Sequence, residues 1–324
     1  MEPKKILIVR FSSIGDIVLT TPVIRCIKEQ VRAASVHFVT KEVFSDTLIN
    51  NPHIDKLHLF KKDVSEIYAQ LAAENFDLII DLHKNLRSLR LKQRLKTKSY
   101  SFDKLNFKKF LAVRFKIISA LPEKHIVDRY LETAQPLGVK NDGKGLDYFL
   151  KESDHVDVNT LYLNNSTNSF TVLVAGGSYF TKQIPINKLY EICTRIKTPV
   201  ILLGGPADKQ TGDDLKKKFT EVINLCGALT LNQSASVIKQ SSLVISSDTG
   251  LMHIAAAFNK PIISVWGNTI PEFGMSPYLP NPKNQILEVK GLSCRPCSKL
   301  GYNKCPRGHF KCMNQIDLTV LDKY

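Results

Sequence analysis

LVISSDTGLMHIAAAFNKPIISVWG, residues 243 to 267, reads as an apolar strand, a short polar loop, a helix and a second apolar strand. Parallel strands joined through a helix are the unit of an α/β sheet, so this stretch sets the fold class. The helix is entered at Asp248, Thr249 and Gly250, where free backbone N–H groups and the helix dipole favour an anion. Thr249 adds a hydroxyl donor, and Gly250 removes a side chain where backbone approaches a phosphate. Asp248 or Thr249 would serve equally as a helix cap. His253, three positions beyond Gly250, is either a structural histidine or a group facing the same ligand.

Working outward, Thr171–Ala175 and Val200–Leu203 are further strand candidates in this half. Ile6–Val9, Val36–Val39 and Leu78–Asp81 repeat the rhythm in the first half, with residues 17–29 as the first crossover helix. The polar stretch LYLNNSTNSF, residues 161–170, separates the two. The pattern predicts two α/β domains, 1–165 and 166–324, with ligands bound in a cleft outside the carboxyl ends of the strands.

Three loops at predicted strand ends carry chemistry. GGSYFTKQIPINKLYEIC, residues 176–193, places Lys182 in a polar loop feeding a helix from near Ile186. Lys182 is either surface charge or a mobile point charge for a diphosphate. LLGGPAD, residues 202–208, ends a strand in a glycine turn that would border a nucleotide. These glycines match neither the dinucleotide fingerprint nor the P-loop, so neither hydride transfer nor ATP hydrolysis is supported. FSSIGDIVLTTP, residues 11–22, sets the lone acid Asp16 where a helix begins, as a cap or as a base.

Composition narrows the partner. Forty-five Lys and Arg against thirty Asp and Glu give a formal charge of +15, which favours an anionic partner. Residues 84–116 concentrate that charge, with twelve Lys or Arg, interleaved aromatics and leucines, and the single acid Asp103. This segment is either a solvated face or a docking surface for an anionic acceptor or membrane. It matches no nucleic-acid module, which disfavours nucleic acid. No run of eighteen apolar residues occurs, and the N-terminus enters the first strand without a cleavage site, so a cytoplasmic location is expected. Cys294, Cys297, Cys305 and Cys312 crowd into nineteen residues, enough thiols for one structural zinc, for reduced packing, or for disulfides.

Taken together these motifs resemble glycosyltransferase family 9, the heptosyltransferases of the lipopolysaccharide inner core. The resemblance rests on ILIVRFSSIGDIVLTTPVI near the start, HIVDRYLETAQPLGV at 125–139, TKQIP at 181–185, LLGGPAD at 202–208, SSDTGLMHIAAAFNKPIISVWG at 246–267 and CRPCSKLGYNKCPRGHFKCM at 294–313. It implies a GT-B fold of two Rossmann-like domains facing an interdomain cleft, the acceptor domain N-terminal and the donor domain C-terminal. It implies inverting, metal-independent transfer of a heptose from ADP-heptose to a Kdo-lipid A or heptosyl acceptor at the inner face of the inner membrane. Asp16 is then the general base. Lys182 contacts donor phosphate, and Asp248, Thr249, Gly250, Leu251 and His253 line the donor site. Arg10, Arg87, Arg90 and Arg129 are the candidates for the acceptor. After Thr181-Lys182 the chain has Gln183-Ile184, where the family often has arginine and tryptophan. The rival readings are a nucleotide-sugar epimerase, a family transferase using another sugar, and a non-enzymatic protein binding RNA or anionic lipid.

Overall fold

Ile6, Leu7, Ile8 and Val9 are all fully buried, so their strand is covered on both faces, as a central parallel strand must be. The structure, a computed structural model, describes residues 4–163 and 169–324. The chain forms two compact units, Met1–Lys104 with Lys124–Phe149, and Leu105–Glu123 with Leu150–Tyr324. The boundary expected between 165 and 166 lies outside the described residues. Residues 105–123, early in the sequence, belong with the second unit.

The first unit holds five strands, β1 (Lys5–Val9), β2 (Ser35–Lys41), β3 (Lys56–Phe60), β4 (Leu78–Asp81) and β5 (Ser99–Ser101). They lie in the order β3-β2-β1-β4-β5, every pair parallel. The order reverses between β1 and β4, and that switch point is where open α/β sheets take their ligands. The crossover after β1 is broken into two helices, Ile14–Val18 and Thr21–Gln30, where one was expected. Thr20 and Thr21 hydroxyls each donate at 2.7 Å to the carbonyls of Ile17 and Val18, and Pro22 removes a backbone donor. Leu7, Val9, Phe11, Val39 and Phe60 share one core cluster. Buried Arg25 closes the unit with a two-pronged contact to Asp142, at 2.7 and 2.9 Å, and a pairing with Asp147.

The second unit holds six strands, β6 (Thr171–Val174), β7 (Val200–Leu203), β8 (Val222–Asn224), β9 (Leu243–Ser247), β10 (Ile262–Trp266) and β11 (Gln285–Glu288). Their order is β11-β10-β9-β6-β7-β8, again all parallel, with the switch point between β6 and β9. Counted from β6, this is the doubly wound order of nucleotide-binding sheets. The helix Ile186–Arg195 starts where expected and buries Leu189, Ile192 and Cys193 against that sheet. Among the described residues, no helix is long and apolar enough to cross a membrane.

Candidate active site

In the first unit the loop after β1 delivers Arg10, Phe11 and Asp16 to the switch point. Asp16 Oδ1 lies 2.8 Å from Arg10 Nη2, and the Asp16 side chain is 22% exposed, so it is both held and reachable. Ser13 donates to Oδ2 through its hydroxyl at 3.0 Å and its N–H at 3.4 Å. Asp16 therefore folds back on the start of helix Ile14–Val18, and the capping role occupies one face of the carboxylate. Arg10 is fixed from three further sides. Its Nη1 donates to Leu82 O at 2.6 Å and Tyr130 Oη at 3.0 Å, and its Nε donates to Ser12 O at 2.7 Å. Burial works against its charge, but Asp16 and Tyr130 outweigh that and hold its pKa raised.

Across the switch point, β4 ends in Asp81, which is fully buried. Its Oδ1 accepts from the N–H groups of His83 and Lys84 at 3.0 and 2.7 Å, and its Oδ2 from Ser88 Oγ at 2.9 Å, with Lys92 Nζ also at 2.9 Å. This network shapes the loop and starts helix Leu86–Leu95. His83, buried at 8% exposure, packs tilted against Phe11 with ring centres 4.7 Å apart, and Arg87 covers the same ring at 5.7 Å. Burial, then Arg10, Lys104 and Arg87, push the His83 imidazole down to about 3, so it is neutral at physiological pH.

Of the four arginines expected at an acceptor, Arg10 and Arg87 both lie near His83, whose charged form they oppose, and Arg87 also covers the Phe11 ring. Arg129 is instead buried and donates to the Asp103 carbonyl at 3.1 Å, while Arg90 is exposed. Asp81, His83 and Tyr130 were not singled out from sequence. Asp81 and His83 carried a usable signal, because they lie at the carboxyl end of a predicted strand.

The donor motifs of the second unit converge at its own switch point. Lys182, after β6, reaches Asp248, after β9, with Nζ to Oδ2 at 2.6 Å, and Thr269 Oγ1 lies 3.5 Å from the same oxygen. Thr249 is the cap of helix Gly250–Ala257. Its hydroxyl accepts from Met252 N–H at 3.4 Å and meets Ser246 Oγ at 3.0 Å. Gly250 and Leu251 form the first turn and are partly exposed, whereas His253 is buried at 1% exposure.

LLGGPAD and the loop after β6 interlock through Asp208. Its carboxylate accepts from Gly205 N–H at 2.8 Å and sits where a Cβ on Gly176 would come within 2.2 Å of Oδ2. The cysteine segment braces the same region. Tyr302 O accepts from Thr181 N–H at 3.1 Å, and Tyr302 N–H donates to Thr181 Oγ1 at 2.8 Å. Buried Arg295 donates to Gly267 O at 2.6 Å and Thr269 O at 3.0 Å, tying down the loop after β10.

Two donor sets bear on a metal. All seven cysteines are free thiols. Cys297 Sγ donates to Cys294 O at 3.0 Å, and burial first, then neighbouring sulfurs, pushes Cys297 up to about 12. Burial raises Cys312 to about 11. A zinc site needs converging thiolates. Among the described residues, the four cysteines do not form a group of donor atoms within 4.8 Å of one another, so a structural zinc, one of the three readings for them, is not shown. His37, His58 and Glu74 do form such a group. Their ring nitrogens, however, make a relay from Gln70 through His58 and His37 to Ser35, with links of 3.3, 3.0 and 3.2 Å. Lys5 and Lys56 pair with Glu74. The relay accounts for the cluster as a buried hydrogen-bonded chain.

The family model for glycosyltransferase family 9 (heptosyltransferase) matches residues 64–303. The lipopolysaccharide heptosyltransferase 1 of Campylobacter coli is 27% identical over 290 residues, covering 82% of this chain and 84% of that protein. The lipooligosaccharide heptosyltransferase 2 of Campylobacter jejuni is 25% identical over 325 residues, covering 94% and 91%. Among solved structures, a family 9 glycosyl transferase from Veillonella parvula has a TM-score of 0.74 at 21% identity, covering 88% of this chain and 86% of its own. The Escherichia coli heptosyltransferase WaaC with ADP has a TM-score of 0.66 at 22% identity, covering 87% and 92%. The fold is therefore GT-B, and the two parallel sheets are its two Rossmann-like halves. The chain belongs to glycosyltransferase family 9 (heptosyltransferase) and is a glycosyltransferase.

Proposed function

We propose that the protein transfers a heptose from ADP-heptose to an anionic inner-core acceptor, Kdo-lipid A or its heptosylated form, with inversion at the anomeric carbon. The observation that carries this reading is Asp16, an acid held by Arg10 and Ser13 yet open to solvent at the first switch point. Asp16 accepts the proton of the attacking acceptor hydroxyl. The new bond joins that oxygen to the anomeric carbon, the bond from that carbon to phosphate oxygen breaks, and ADP leaves with the electron pair. Arg10 is a positioning residue for the base.

In this reading the first unit takes the acceptor and the second takes the donor. The leaving diphosphate meets Lys182 and the start of helix Gly250–Ala257 capped by Thr249, and no divalent cation is assigned a role. Support for the donor comes from WaaC, whose structures hold ADP and ADP-2-deoxy-2-fluoro heptose. Partly exposed Arg87, over the buried Phe11 ring, and exposed Lys84 and Arg90 give the first unit a basic rim suited to a phosphorylated sugar lipid. Such an enzyme works at the cytoplasmic face of the inner membrane, in peripheral contact with it.

The test is a transfer assay with ADP-heptose and Kdo-lipid A in the presence of EDTA. ADP release that requires acceptor supports the reading. Conversion of the donor sugar without acceptor would make the protein an epimerase. Turnover with a different nucleotide sugar alone would replace the heptose.

A further inference from the structure

The helix Asn106–Phe115 carries its three phenylalanines away from the core. Phe107, Phe110 and Phe115 are 71%, 50% and 58% exposed, and Ile117 just beyond is 45% exposed. At 3.6 residues per turn, Phe107, Phe110 and Arg114 share the side opposite Lys109, Ala112 and Lys116. The inner side is well anchored. Ala112 is fully buried in a cluster with Leu121, Ile270 and Phe273, and the Lys109 ammonium lies 5.5 Å over the Phe273 ring. Lys116 Nζ donates to Pro296 O at 2.8 Å and to Val113 O at 2.7 Å. The outer aromatics are thus held out by a fixed helix. Phe110 and Phe115 pack edge to face at 6.0 Å, and the Arg114 guanidinium lies 5.9 Å over Phe115.

We propose that this helix is the membrane-docking element, and that its partner is a bilayer bearing anionic headgroups. The proposal rests on the reading of a lipid-borne acceptor given above and names the surface that brings the enzyme to it. Charge complementarity selects the partner. Between Lys104 and Ile117 the chain has five cations and no acid, and Lys108 and Arg114 are exposed beside the phenylalanines. Aromatic rings that enter the acyl boundary beneath lysine and arginine at headgroup level are the signature of an interfacial helix. A protein partner would have to match the patch with its own apolar centre and acidic rim, whereas an anionic bilayer supplies both layers at once. The first unit carries a second helix of similar composition, Leu86–Leu95, with Leu86 71% and Leu89 44% exposed among arginines.

The experiment is sedimentation of the full chain with phosphatidylcholine vesicles, with and without phosphatidylglycerol, alongside size exclusion with light scattering. The wild type should partition preferentially onto the anionic vesicles. The triple variant Phe107→Ser, Phe110→Ser, Phe115→Ser should bind at least about tenfold more weakly, given that each buried ring contributes a tenfold factor or more. Its ADP affinity and its transfer to a de-acylated, water-soluble acceptor should be unchanged. Phe107→Trp supplies a second readout that needs no loss of binding. The chain's single tryptophan, Trp266, is buried, so a blue shift on adding anionic vesicles reports insertion of position 107. Wild type that stays in the supernatant, a triple variant that sediments like wild type, or an unshifted tryptophan would overturn the proposal. A dimer that the triple variant abolishes would make a second copy the occupant, and overturn it too. Phenylalanine-dependent vesicle binding without heptose transfer would leave the docking helix standing and sink the proposed reaction.

Discussion

Lys182 and Asp248 stand on the loops after two adjacent central strands, β6 and β9, and their charged atoms lie 2.6 Å apart. The lysine expected to meet a diphosphate is thus already paired with a carboxylate, which Thr269 also approaches at 3.5 Å. In the proposed donor site, a diphosphate would have to share Lys182 with Asp248. The pair holds the ammonium at the switch point before ligand arrives, which lowers the ordering cost on binding.

Lys182→Ala should therefore raise the Kd for ADP by about tenfold to a hundredfold, the size of one hydrogen bond to a charged group. Calorimetric titration without added metal measures it. An unchanged Kd would remove Lys182 from the donor site.

Asp16→Asn should lower kcat by about a hundredfold to ten-thousandfold while the ADP Kd stays within twofold, roughly the range for loss of a general base. Arg10→Ala should also lower kcat, through loss of the contact that orients Asp16 and of the ties to Leu82 and Tyr130. Near-normal turnover in Asp16→Asn would falsify the assignment of the base.

Acid should weaken the fold through two histidines. Burial, then His37, depresses His58 to about 4, and burial, then Arg10, depresses His83 to about 3. In the unfolded chain each titrates near 6.5, so between about pH 6.5 and 4 the unfolded state binds more protons than the native one. The stabilisation is complete above about pH 6.5 and is lost as pH falls, by up to about 1.4 kcal/mol per pH unit per histidine. Urea midpoints across this window should fall for wild type and fall less for His58→Gln. Identical slopes would contradict the depressed value.

Gly176→Ala should destabilise the second unit by about 1–3 kcal/mol, because the new Cβ would press within 2.2 Å of Asp208 Oδ2. Removing that carboxylate removes the clash, so Gly176→Ala with Asp208→Ala should be less destabilised than the two singles summed. Denaturant midpoints of the four proteins decide it, and strict additivity would show that the two loops do not interlock.

Central strands were the most legible part of the fold. Leu78–Asp81 and Val200–Leu203 have the expected bounds, because strands buried on both faces must be continuous apolar runs. The edge strands β3, β5, β8 and β11 gave no such signal. Ser99–Ser101 is only half-buried throughout, and Gln285–Glu288 begins with two exposed residues. The helix start at Ile186 and the capping choice at Asp248-Thr249 were readable as local chemistry, and the structure gives the cap to Thr249.

By itself, then, the sequence determined the two sheets, the loops at their carboxyl ends, and the family, since apolar runs and short motifs are local along the chain. Tertiary structure alone decided which side chains share an atom. It paired Lys182 with Asp248, 66 positions apart, and set Tyr130 on Arg10, 120 positions apart. It also moved residues 105–123 into the second unit and turned their phenylalanines outward. The physical reason is that burial and pairing depend on distance in space. Crossovers in parallel sheets bring together strand ends that the sequence keeps far apart.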